Sequence, residues 1–393
     1  MLTLSSVSAV CRSRPSIAAL SHVVLSLDAY LDPSMAWTIP DAVRFGSVRL
    51  LDRVAARIDA LGSGNGDNED KMQQEFQLSV PKAMSLGFLE VVQWLARRYP
   101  NGQIPSSAVA ETAKNGHLSV LQWLFGHHDH VYWGGDEMYN AVAFNHLEVA
   151  KFLNEYTAPP LDDAFLIDEA ARHGDLEMMQ WLHDERGDQL TYEGVLRAVD
   201  YGFVDAVKWM VETFPDHVAA KNLRMDYAAA NGHLEMIRWL HKQHAWCTKQ
   251  AVNHAAGNGH LEIVQFLHEN RSEGCTTDAM DMAAANGHLE TVKWLNVSRS
   301  EGCTQYAMDS AAKNGFLDVV KWLHEHRSEG CSSQAMDNAA GAGHLKIVQW
   351  LHSHRTEGCT RAAVANAAAN GHFEVADWFS QTFPDTFGPA SSV

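Results

Sequence analysis

Asp278-Ala-Met-Asp-Met-Ala-Ala-Ala-Asn-Gly287-His288-Leu-Glu-Thr-Val-Lys-Trp294-Leu295 is one copy of a phrase that the chain writes eleven times between Gly87 and Gly371. Its anchor column reads Gly87, Gly116, Asn145, Gly174, Gly202, Gly232, Gly259, Gly287, Gly315, Gly343 and Gly371, at spacings of 27 to 30 residues. A fixed period of this size predicts stacked supersecondary units, none of which can bury its apolar face alone. Asn145 is the one non-glycine, and Asn is the residue that best tolerates a left-handed backbone. The column therefore marks a tight turn with positive φ.

The unit from Tyr306 to Cys331 shows how one copy folds. On a helical wheel Ala307, Met308, Ala311 and Ala312 share one side, while Tyr306, Asp309 and Lys313 share the other. This is a short helix with a small-residue buried face, and Asp309 with Lys313 makes an i,i+4 pair of opposite charge on the open side. Asn314-Gly315 ends it. A second helix runs from about Phe316 to His326, with Val319, Val320, Trp322 and Leu323 in an apolar arc much wider than the ~100° of an ordinary surface helix. Such a helix needs cover from its partner and from both adjacent repeats. Gly330 closes the unit, and Ser332 or Ser333 can cap the next first helix. The 28-residue period leaves no room for a strand.

The quoted run resembles the ankyrin repeat, whose usual form is T-P-L-H-L-A-A-x-x-G-H-L-E-V-V-K-L-L. The resemblance extends from Phe76 to about Phe383 and recurs in register. It implies an all-α solenoid of stacked antiparallel helix pairs and a role in holding protein partners. Two departures stand out. The family's period is about 33 residues, so about five are missing here, between Leu295 and Tyr306, where ankyrins build a β-hairpin finger. The fingers are therefore expected to be shortened or absent. The T-P-L-H tetrapeptide is also missing, and Asp281, Asp309 and Asp337 stand at its His position. A degenerate first unit at Ala36 to Ile58, with Phe45-Gly46-Ser-Val48-Arg-Leu50-Leu51, brings the expected count to about twelve. The expected organisation is an N-terminal capping segment over residues 1–35, an array over 36–385 with an acidic insertion at 62–70, and a disordered tail over 386–393.

Lys and Arg total 30 against 48 Asp and Glu, a formal charge of −18, which repels nucleic acid in general. No stretch reaches the ~18 uninterrupted apolar residues of a membrane helix. The first 27 residues lack Asp and Glu but carry only Arg12 and Arg14, too few for a mitochondrial presequence. A cytoplasmic or nuclear monomer is expected.

Cys247, Cys275, Cys303, Cys331 and Cys359 lie 28 apart. Equivalent positions in stacked repeats sit about 8–10 Å apart, whereas a disulfide needs Cα atoms within about 7 Å. These read as buried free thiols. His117, His146, His233, His260, His288, His344 and His372 follow the turn, and the ankyrin resemblance gives their rings a structural role, bonding loop carbonyls between units. Spacing excludes metal for both columns, and the local cluster His127-His128-Asp129-His130 reads as a solvated loop. The tryptophan column, including Trp294, Trp322 and Trp350, reads as packing between repeats with a partly exposed edge.

No nucleophile elbow, Walker loop or H-E-x-x-H motif is present, and His, Cys and Asp recur with the repeat, whereas a catalytic site is usually singular. No enzyme activity, metal or cofactor is expected. The function expected is a non-catalytic protein-interaction scaffold. Two alternatives stand beside it: an adaptor delivering a partner to another machine, such as a ubiquitin ligase, through the N-terminal segment, and a hydrolase using the repeated columns. The variable open positions of the first helices, including Tyr139, Asp168, Arg172, Arg197 and Tyr227, carry the expected specificity. The acidic column Asp226, Asp281, Asp309 and Asp337, with Tyr227 and Tyr306 beside it, is expected to face a partner segment bearing Lys or Arg.

Overall fold

The computed structural model describes residues 37–61, 68–134, 136–157, 166–215 and 218–384. Among these there are 24 α-helices and no strand, only the isolated bridges Ile104 to Val131 and Arg224 to Trp246. The expected capping segment 1–35, the tail 386–393 and Cys11 lie outside the described residues. So does 62–67 of the expected acidic insertion, whereas its last three residues open the helix Asn68–Ser85.

The helices alternate as expected. Gln305–Lys313 is followed by Leu317–His326, Ser333–Gly341 by Leu345–His354, and Ile39–Val43 by Val48–Leu61. The chain forms two compact units, Met1–Gln189 and Leu190–Val393. Within each, first helices lie beside first helices: Asn68–Ser85, Ser106–Lys114, Glu137–Ala143 and Leu166–His173 in one, and Lys249–Gly257 through Arg361–Ala369 in the other. The alanine pairs explain the close approach, since Ala311, Ala312, Ala339 and Ala340 are fully buried. Val319, Val320 and Leu323 fill the space beneath them.

The turn column has φ between +60° and +91° at all eleven positions. At many of its glycines the missing side chain serves a second end: the next repeat lays a ring there. A Cβ added at Gly343 would come within 2.5 Å of the His372 ring, and one at Gly287 within 2.5 Å of Phe316. His117 and His146 also reach back, with Nε2 at 3.0 and 2.9 Å from the carbonyl oxygens of Ser85 and Lys114. The neighbouring Asn does the same work along the array. Asn258, Asn286, Asn314 and Asn370 donate their side-chain amides to the carbonyls of Ala230, Gly257, Ala285 and Gly341, at 2.6 to 2.8 Å. These carbonyls belong to the C-terminal ends of preceding first helices, which would otherwise go unpaired.

Gly371 separates the two demands on the column, having φ +80° but nothing within 4 Å of an added Cβ. Gly371→Ala is expected to cost only the left-handed penalty of about 1–2 kcal/mol. Gly343→Ala is expected to cost clearly more, because the His372 ring must also be displaced. Urea denaturation followed by circular dichroism measures both, and equal losses would remove the ring from the account.

Candidate interaction surface

Several first helices of the Leu190–Val393 unit are seated by a hydroxyl. Thr304, Ser332 and Thr360 are N-caps whose side chains accept from the backbone N–H of Tyr306, Gln334 and Ala362 at 3.1 to 3.2 Å. The same residues grip the repeat before them. Thr304 donates its N–H to Asp281 Oδ1 and its hydroxyl to Oδ2, both at 2.7 Å. Ser332 binds Asp309 in the same way at 2.8 and 2.6 Å, and Thr360 binds Asp337 at 2.7 and 2.6 Å. Asp226 takes Thr248 at 2.9 and 3.0 Å and also meets Arg224 at 3.1 Å.

The acidic column is therefore not an open, partner-facing surface. Asp226, Asp281, Asp309 and Asp337 are between 4% and 8% exposed. The physical reason is that a single-helix wheel places Asp309 at the edge of the apolar arc, and the cap of the following repeat closes over that edge. Both oxygens of the buried carboxyl accept hydrogen bonds, which offsets part of the cost of removing it from water. Burial nonetheless pushes the Asp281 carboxyl above its ordinary range, against the pull of the Thr304 bonds. Asp309 spends its charge on Ser332, where Lys313 was the expected partner. In one repeat the position is Asn253, which exchanges bonds with Thr276 at 2.9 and 3.0 Å.

The remaining expected contacts divide. Asp168 is buried, and Arg172 pairs with Glu169 at 2.9 Å and Arg197 with Glu193 at 3.3 Å, so both arginines are engaged on their own helices. The tyrosines are open: Tyr139 is 44% exposed, Tyr227 58% and Tyr306 60%. In the Leu190–Val393 unit Met282 joins them, its Cβ carried over Gly257, where an added methyl would lie 2.8 Å away. Tyr227 and Met282 stand five residues before the turn glycine and Tyr306 nine before it, positions one helical turn apart on the same face. Exposed Lys249, Gln250, Asp278, Gln305 and Lys313 border them.

The second helices present the tryptophans half-buried. Trp322 and Trp350 stack on His326 and His354 of their own helices, with ring centroids 4.5 Å apart. Trp294 and Trp350 each receive the edge of an imidazole from the repeat before, His268 and His324, at 5.2 Å. Between repeats, Arg271 pairs with Glu273 at 2.5 Å, and Arg299, Arg327 and Arg355 pair with Glu301, Glu329 and Glu357. Cys247, Cys275, Cys303 and Cys331 are buried free thiols and Cys359 is half-buried. Burial raises the Cys247 thiol to about 12 and those of Cys303 and Cys331 to about 11, which keeps them protonated and unreactive. Among the described residues no helix is long and apolar enough to cross a membrane, and no group of three or more His, Cys, Asp or Glu could hold a metal ion.

Two substitutions follow from the buried carboxyls. Asp309→Ala strands the Ser332 donors and is expected to cost about 1–3 kcal/mol. Asp309→Asn should cost less, since the array already uses Asn253 in this role. Thermal unfolding of both variants checks the order. Asp200 carries the opposite sign: burial first, and then repulsion from Glu193, raises its carboxyl from 3.8 to about 6. The folded state thus favours the protonated form, a contribution fully present below pH 3.8 and lost as pH rises through about 6. Asp200→Asn should be more stable than the parent chain at pH 7.5, with the gap closing toward pH 4. A gap independent of pH would contradict the assignment.

Comparison with known families finds the ankyrin-repeat model of three copies over residues 225–309 and the model of many copies over 308–352 and 336–379. No curated protein matches the chain.

Proposed function

We propose that this chain, whose residues 225–379 are ankyrin repeats, is a non-catalytic scaffold that holds a protein partner on the first-helix face of its Leu190–Val393 unit. Ankyrin repeats are generally protein–protein interaction modules. The observation that carries the reading is the exposure of Tyr227, Met282 and Tyr306, while Met280 and Met308 on the helices of the latter two are buried. Large rigid aromatic side chains left in water are the usual anchors of an interface.

The reading gives up the acidic attraction expected from the sequence, because the carboxylates that would have supplied it are consumed between repeats. Affinity is assigned instead to apolar contact on the tyrosines and Met282, with Asp278, Lys249 and Lys313 setting the partner's polar register. A partner segment with alternating apolar and polar side chains suits this face, and a uniformly basic one does not.

The test is a partner captured by cross-linking to the full chain in cells, then measured by calorimetry against a Tyr227→Ala, Tyr306→Ala double variant. Surface truncations of this kind leave stability within about 0.5 kcal/mol, so an unchanged melting curve with at least tenfold weaker binding is expected. Unchanged affinity would overturn the assignment of this face.

A further inference from the structure

The residue nine positions after the turn glycine is His241, His268, His324 and His352 at four junctions of the Leu190–Val393 unit. At each, its imidazole meets the edge or face of the next repeat's column aromatic: Phe266 at 5.7 Å, Trp294 and Trp350 at 5.2 Å, and Trp378 at 5.5 Å. Counting nine from Gly46 gives Ala55. There an open surface groove between the helices Val48–Leu61 and Leu89–Arg98 is lined by Ala55, Ala56 and Trp94, with Asp52, Asp59, Arg97 and Arg98 around it.

The polar groups of the groove are ordered. Asp52 Oδ1 accepts the Trp94 indole N–H at 2.7 Å, which fixes the carboxylate beside the ring. Asp59 takes Arg98 through both oxygens, at 2.6 and 3.1 Å, and Arg98 also lies 5.8 Å from the Trp94 ring centre. These pairs hold the indole upright against an alanine floor. The groove offers an aromatic face and, beside it, a carboxylate.

We infer that this groove receives a ring-bearing side chain with a hydrogen-bond donor on its edge, Tyr or His, from a protein partner. The ring takes the place that His241, His268, His324 and His352 fill at their own junctions, and its O–H or N–H donates to Asp52. This surface lies on second helices and is separate from the tyrosine face, so the two assignments stand or fall independently.

The experiment follows the Trp94 indole ¹H–¹⁵N signal of the full chain, identified with Trp94→Phe, during titration with N-acetyl-tyrosinamide and N-acetyl-histidinamide. A saturable shift with the ring probes and none with N-acetyl-alaninamide is expected. Ala56→Trp, at an exposed position, should plug the groove and weaken binding at least fivefold, as should Asp52→Ala. Ala55→His should restore the imidazole and abolish the shift; because Ala55 is buried, Ala56→Trp provides the test should that variant not fold. The double variant Tyr227→Ala, Tyr306→Ala should leave the shift untouched. No saturable shift, or an equal shift in Ala56→Trp, would overturn the inference.

Discussion

One backbone position recurs through the stack: a turn residue that is left-handed at every repeat and, at most junctions, a glycine lying under a ring of the next repeat. Left-handed φ alone would admit Asn, and Asn145 shows that it does. The second demand is stricter, because the next ring lies where a Cβ would be. Once the ring sits there, the adjacent Asn is close enough to bond the preceding helix's last carbonyls, and the first helices are drawn together until only alanine fits between them. Ring contact, small-residue face and amide ladder meet at the same junction.

The hydroxyl clamp is the complementary constraint at the other end of the first helix. A cap residue normally serves its own helix, satisfying one orphan N–H. Here Thr304, Ser332 and Thr360 also donate backward, so the start of one helix is fixed by the middle of another. The buried carboxylates make this junction costly to break, since losing one partner leaves an unsatisfied charge or donor in a dry site. Neighbouring repeats are thereby coupled through defined bonds as well as through apolar area, which is how an array of weak units becomes cooperative.

The periodic features were legible in the sequence because each is local: the turn at Gly315, the alanine face of Gln305–Lys313, the wide apolar arc of Leu317–His326 and the buried cysteines all follow from residues within one unit. The acidic column was misread for the same reason. Whether Asp309 faces water or protein is decided by Ser332 in the next repeat, and no wheel drawn on one helix contains that residue. A signal did exist, since a Thr or Ser stands 23 residues after Asp281, Asn253, Asp309 and Asp337. A polar pair that recurs at constant separation across a repeat boundary is a candidate hydrogen bond. The Asn before the turn carried a similar signal and was taken only as part of the cap.

Function has to occupy what the junctions leave over. The column five residues before the turn holds Tyr227, His254, Met282, Ser310 and Asn338 in successive repeats, a range of shapes that the turn, clamp and alanine columns never show. Variation is tolerated there because the side chain extends from a first helix without serving a bond that the stack needs. The clamp position, by contrast, is Asp or Asn wherever the following cap is Thr or Ser in residues 225–379. The contacts that order the repeats and the open side chains Tyr227, Met282 and Tyr306 therefore sit on different registers of these short helices, so under the proposed function a binding surface could be changed at the open positions while the ordering contacts remain intact.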